Sequence, residues 1–284
     1  MKRWKRCLPV LLAALLLLSP MLAPSAVQVF APRGAQVELL VVMYHSLVTD
    51  EKQAAPYVCP ISRLESDLAA LTARGYRSVT PDQLLAYGQG RGTLPARPLL
   101  ITLDDGYRNN LTLLPAVLER YDASALLAVV GEYADIYTLS GEDGSLHSCM
   151  SWADLRQAAG TPRLELACHA YYFHHLSPRK GASRRADESE AQWRAAFSAD
   201  TAAIRQALEE RCGVTPQCYA YPYGAITSGA DDLLRELGFS LSLSCTEQRS
   251  LLVSGDPSCL FSLGRYNRDG RLSTPAFLER LGIS

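Results

Sequence analysis

No charge of one sign dominates this chain of 284 residues. Its 28 lysines and arginines are met by 29 aspartates and glutamates, so it lacks the basic surplus with which proteins hold nucleic acid and other polyanions. It also lacks a comfortable transmembrane span. The apolar run from Leu8 to Leu22 is fifteen residues long and broken at Pro20, whereas a membrane-crossing helix needs about 20. No two of its eight cysteines are spaced C-x-x-C, which excludes a zinc ribbon. Histidine is scarce, five in all with none after His175, so any histidine chemistry draws on few positions. Internal repeats and clear linkers are absent too, and one domain is the simplest partition.

What is present begins with the leader. Lys2, Arg3, Lys5 and Arg6 precede the apolar run and Ala23-Pro24-Ser25-Ala26 follows it, the order of a secretory signal peptide. Residues 1–26 are therefore expected to be a signal peptide, with an uncleaved N-terminal anchor and membrane association as the alternative. Either places the rest outside the cytoplasm, extracellular or at the cell surface. Without the four leader bases, 24 basic residues face 29 acidic ones, a net charge of −5, which strengthens the case against nucleic acid. Cys7 lies ahead of the apolar run, so it is misplaced for lipid attachment after cleavage. Seven cysteines remain, and in an exported protein some should pair. Cys212 and Cys218 are the nearest in sequence.

The remaining chain alternates strand and helix patterns. Val37–Tyr44, Leu99–Leu103, Ala125–Val130, Leu164–Cys168, Gln217–Tyr221 and Ser240–Ser244 read as buried strands, with Phe261–Leu263 as one further candidate. Ile61–Arg74, a helix opened by Thr80-Pro81, Asn109–Arg120, a helix begun at Ser151, Glu190–Arg211, Gly229–Leu237 and Pro275–Leu281 read as helices. Gly131–Met150 and Ser177–Ser189 read as loops. Such alternation implies a largely parallel sheet or barrel. The pattern is organised around Leu99–Tyr107, Leu-Leu-Ile-Thr-Leu-Asp-Asp-Gly-Tyr, where an apolar strand ends abruptly in two carboxylates. Strand ends of this kind are where α/β proteins place chemistry, although Asp-Gly alone is equally a turn signal. Farther on, Cys168-His169-Ala170-Tyr171-Tyr172-Phe173-His174-His175 carries three of the five histidines directly after a strand. Histidines this dense suggest a metal, and two imidazoles with one carboxylate leave a coordination position open for water.

Leu103-Asp104-Asp105-Gly106, the His169–His174 segment and Tyr221-Pro222-Tyr223-Gly224, in that order, resemble the first three motifs of the polysaccharide deacetylases, the NodB-homology family of metal-dependent carbohydrate de-N-acetylases. The resemblance covers roughly Val37 to Gly270, within an expected catalytic domain of residues 37–284. It implies a deformed (β/α) barrel of mostly parallel strands, a metal held by Asp105, His169 and His174, and Asp104 as general base. The metal is one divalent ion, zinc first and cobalt or nickel as alternatives; the partner is an N-acetylated polysaccharide. Three departures stand out. His169 and His174 are five residues apart rather than the usual four, a spacing that resembles the poly-N-acetylglucosamine deacetylase branch. The arginine that often opens the third motif is Ala220 here, so the group orienting Asp104 must come from elsewhere. The late motif lacks its acid histidine, and Leu263–Asn267 offers only Arg265, Tyr266 and Asn267.

His45 can fill that last gap, because it ends the apolar strand Leu39–Tyr44, and in the same branch the acid-bearing strand resembles a copy moved to the front. The expected reaction is hydrolysis of the N-acetyl amide of a cell-surface polysaccharide or peptidoglycan-type glycan. A metal lowers the pKa of water from about 15.7 towards about 7. Asp104 takes the proton, a backbone N–H near Tyr223 meets the oxyanion, and His45, near its ordinary pKa, protonates the leaving amine. The rival readings are a catalytically silent glycan-binding protein on the same fold and an O-acetyl esterase.

Overall fold

A computed structural model describes residues 31–142 and 147–283. The expected signal peptide or anchor, residues 1–26, lies outside the described residues, and no helix among them is long and apolar enough to cross a membrane. In chain order the strands are β1 Gln36–Tyr44, β2 Ser46–Val48, β3 Val58–Pro60, β4 Arg77–Ser78, β5 Pro98–Leu103, β6 Ala125–Val129, β7 Leu164–Cys168, β8 Cys218–Ala220, β9 Leu241–Leu243, β10 Ser250–Val253 and β11 Tyr266–Asn267. The helices are α1 Ile61–Ala73, α2 Pro81–Gly88, α3 Arg108–Arg120, α4 Gly131–Ser140, α5 Trp152–Ala159, α6 Glu190–Cys212, α7 Ala230–Glu236 and α8 Thr274–Arg280.

The main sheet runs β10-β1-β5-β6-β7-β8-β9, with β4 on β5 and β11 on β1. Every pairing in it is parallel except β1 with β10. Strands β5, β6, β8 and β9 and most of β1 and β7 are buried on both faces, which is why they read as continuous apolar runs. Alternate residues divide between two cores. Leu40, Val42, Leu99, Ile101, Leu127, Leu166 and Tyr219 pack with the surrounding helices. Leu39, Val41, Leu100, Leu126, Ala167, Cys218 and Leu241 form a second cluster inside the curl, to which α2 adds Leu84 and Tyr87. The result is a curled, mostly parallel half-barrel with helices around it, in keeping with the deformed (β/α) barrel that the family resemblance implied and with the largely parallel sheet or barrel that the alternation implied.

The curl is bridged by the stretch after β10. Leu263 pairs in parallel with Leu243 of β9, and Tyr266 pairs with Val42 of β1 only three residues later. The expected strand Phe261–Leu263 is thus a single bridge followed by a two-residue strand, because the segment crosses from one edge to the other. It is anchored by Arg268, whose fully buried guanidinium binds Asp67 of α1 at 2.6 Å, with Tyr44 and Thr274 also hydrogen-bonded to that carboxylate.

Two further expectations are corrected. Gly131–Met150 is not all loop: Gly131–Ser140 is helical and stops at Gly141 in the left-handed conformation. Only Gly131 and Ala134 of that helix are buried, so no apolar stripe betrayed it. Cys212 and Cys218 are not joined, and all seven described cysteines are free thiols. Cys218 points into the barrel interior while Cys212 packs against the helix layer, on the other face of the sheet.

Candidate active site

The barrel's inward parity positions the site. Asp104 continues the set Leu100, Thr102 of β5, and His169 continues Ala167 of β7, so both carry the interior face past the ends of their strands. His45 follows Tyr44 in the same way, just beyond β1. Asp105 lies in the turn with φ of +69°, a left-handed conformation that aspartate tolerates better than most residues, followed by Gly106 at +72°.

Asp105, His169 and His174 are brought together, with one ligand-type atom from each lying within 4.8 Å of the others. The Asp105 carboxylate is 3.1 Å from His174 Nε2 and 3.6 Å from His169 Nε2. His169 Nδ1 is 2.7 Å from the Ala220 carbonyl; a carbonyl can only accept, so the ring proton sits on Nδ1 and the Nε2 lone pair faces the carboxylates. Metal-binding histidines are commonly oriented in this way. His174 Nδ1 meets the Tyr133 hydroxyl at 2.9 Å and the Tyr223 hydroxyl at 3.3 Å. His175 turns away, with its Nε2 2.9 Å from Glu132. Two imidazoles and one carboxylate converging from separate elements are a donor set that fits a divalent ion such as zinc.

The charges are strongly conditioned. Burial pushes the His169 imidazole down to about 4, against the pull of Asp104, which keeps it in the neutral, ligating form. Burial alone would raise Asp104 and Asp105. For Asp104 the Arg265 guanidinium and His169 outweigh it, and for Asp105 the histidines do, so both carboxyls are held below the usual range.

Arg265 is the residue that sequence reasoning left without a role. It is fully buried and grips Asp104 through two parallel contacts of 2.7 and 2.9 Å, with its Nε on the Ser244 carbonyl at 2.8 Å. It enters from the bridging segment rather than from the third motif, and so supplies the orientation that Ala220 cannot. The signal was its place in the late motif, uninterpretable until the segment is seen to cross beside β5. Tyr133 was missed as well, because it sits on the helix read as loop.

His45 stands at the rim. Its backbone carbonyl accepts from Asn110 at 2.8 Å, its ring packs edge-on against Tyr57 at 4.7 Å, and its Nδ1 is buried without a hydrogen-bond partner among the described residues. Burial lowers its pKa from the ordinary value even though Asp104 and Asp105 pull it up, a correction to the expectation of an ordinary histidine. Tyr223 is 38% exposed and adopts φ of +58°. Gly224 and Ala225 spend their N–H groups on the carbonyls of Tyr221 and Pro222.

Residues 91–242 match the family model described as polysaccharide deacetylase. The chain is 23% identical over 199 residues to the poly-beta-1,6-N-acetyl-D-glucosamine N-deacetylase of Escherichia coli K12, covering 63% of this chain and 30% of that protein. It therefore spans less than a third of the length of that relative. Among solved structures it resembles IcaB from Ammonifex degensii, at 25% identity and a TM-score of 0.68 over 86% of this chain and 97% of that one. A de-N-acetylase from Aggregatibacter actinomycetemcomitans shares the fold with a TM-score of 0.72 at 21% identity, over 86% of this chain and 100% of that one.

Proposed function

Since this chain belongs to the polysaccharide deacetylase family, we propose that it is an exported, metal-dependent hydrolase that removes N-acetyl groups from a cell-surface polysaccharide or peptidoglycan-type glycan, with residues 37–284 as its catalytic domain. The observation that carries the reading is the Asp104–Arg265 pair set beside the cluster of Asp105, His169 and His174. A silent glycan-binding surface needs no buried, oriented carboxylate there. A divalent ion held by the three ligands, zinc first and cobalt or nickel as alternatives, supplies Lewis acidity towards the carbonyl and lowers the pKa of water.

The protein's own groups do the rest. Asp104 is the base: the guanidinium keeps it ionised and fixed in direction, and each carboxylate oxygen keeps a further lone pair with which to accept a proton. His45 faces both carboxylates electrostatically and serves as the acid for the departing amine. Burial opposes its charged form, so its protonation depends on Asp104 and Asp105 remaining ionised. With its neighbours' N–H groups engaged, the oxyanion donor narrows to the backbone N–H of Tyr223, whose phenol is braced on His174.

The test compares acetate release from N-acetylglucosamine polymers with release from acetylxylan. Release from the amide polymer that is lost in Asp104→Asn while bound metal stays supports the reading. Release from acetylxylan alone replaces it with an O-acetyl esterase, and no release from either polymer by metallated protein leaves a glycan-binding protein.

A further inference from the structure

The six residues from His169 to His174 must turn sharply so that both rings face Asp105, and the backbone between them is held from two sides. From below, the first N–H groups of α4 take its carbonyls: Gly131 donates to Ala170 at 3.1 Å and Glu132 to Tyr171 at 3.0 Å. From the other side one carboxylate, Asp200 of α6, takes its N–H groups, Tyr171 at 2.9 Å and Tyr172 at 2.6 Å. Asp200 is 6% exposed, on a helix face otherwise occupied by Phe197, Thr201 and Ile204. A charge on the apolar face of a helix is costly unless it is well bonded, and these backbone donors are its bonding. The turn needs such support. Ala170 adopts φ of +99°, which a residue with a side chain rarely does, and the Tyr171 ring lies so close to Gly131 that a Cβ there would meet it at 2.7 Å.

We propose that Asp200 is a positioning residue for the metal ligands: it pre-forms the His169–His174 turn before any ion arrives and thereby raises the affinity of the site. The inference rests on the proposed metal-dependent reading for its consequence and on the backbone contacts alone for its mechanism. Asp200 touches neither ion nor substrate. It acts through two peptide N–H groups, as outer groups around metal sites do when their loss weakens binding by about 10- to 100-fold. An asparagine keeps the size but replaces one acceptor oxygen with an NH₂ facing an N–H, so one of the two contacts is lost.

Metal-stripped protein titrated with Zn²⁺ against a chromophoric chelator tests this, with amide hydrogen exchange of Tyr171 and Tyr172 read in parallel by NMR. Asp200→Asn should bind Zn²⁺ at least about tenfold more weakly and lose exchange protection at one of the two amides. Ile204→Val, a comparable wound to the same helix, should leave affinity unchanged. Affinity within twofold of the parent in folded Asp200→Asn overturns the proposal, as does an equal loss in Ile204→Val. If Asp200→Asn does not fold, the parent decides: protected Tyr171 and Tyr172 amides in the metal-free protein support a pre-formed turn, and freely exchanging ones refute it. A parent that binds none of Zn²⁺, Co²⁺ and Ni²⁺ refutes the metal-dependent reading and the affinity role, whereas an amide protected in the parent and exposed in folded Asp200→Asn would still show that Asp200 forms the turn.

Discussion

At the scale of single residues, Arg265 and Asp104 are coupled so that neither can be removed cheaply. Arg265→Met leaves a carboxylate buried without its partner, and breaking such a pair costs about 3–5 kcal/mol. Urea unfolding should show that loss for Arg265→Met and a far smaller one for the double variant with Asp104→Asn, where no charge is stranded. Arg265→Lys keeps the charge but loses the two-pronged fit, so we expect metal content to survive while acetate release falls by about a hundredfold. The pH dependence has a definite sign. The carboxyl of Asp104 is held below its unfolded value, so its contribution to stability is fully present above about pH 4 and is lost as pH falls through the lower folded value. The stability gap between the parent and Asp104→Asn, measured without metal, should be flat above that point and close below it. The ligand register is tested just as directly. His174→Ala should lose bound metal by elemental analysis and His175→Ala should keep it, since only His174 faces Asp105.

At the scale of elements, α4 and the bridging segment matter more than their lengths suggest. Helix α4 buries little, yet its first turn carries the donors that hold the ligand turn and the tyrosine that meets His174. Gly131→Ala would ordinarily favour a helix by up to about 1 kcal/mol. Here the added carbon meets the Tyr171 ring at 2.7 Å, and overpacking of that kind costs about 1–3 kcal/mol. The clash decides the sign, so Gly131→Ala should lower the melting temperature and weaken Zn²⁺ binding together. A rise in melting temperature would show that the ring can swing aside. The segment from Leu263 to Arg268 is fastened at one end by pairing with β9 and at the other by the Arg268–Asp67 pair, which fixes the approach of Arg265 between them.

For the molecule as a whole, the free cysteines define how its stability is built. Two packed layers, one inside the curl and one beneath the helices, account for the core without a covalent link among the described residues. The seven described thiols should all alkylate after unfolding without reductant, as counted by intact mass, and reductant should leave the melting temperature unchanged. A mass showing a bridge between any two of them would contradict the separation of Cys212 and Cys218 across the sheet.

The order of strands and helices was legible in the sequence because each buried strand is a short apolar run and most helices carry an apolar stripe; period and punctuation are local properties. That carboxylates and histidines gather at strand ends was readable for a related reason, whereas the choice of Asp105, His169 and His174 came from the resemblance to the family's motifs, since the residues alone did not separate His174 from His175. Tertiary structure alone decided three things. That Arg265 grips Asp104 depends on a segment crossing the barrel's open edge, and that Asp200 supports Tyr171 and Tyr172 depends on α6 lying against the turn. That Cys212 and Cys218 stay apart depends on which face of the sheet each occupies. All three are contacts or separations between elements distant in space or opposite in facing, and local pattern carries no information about either.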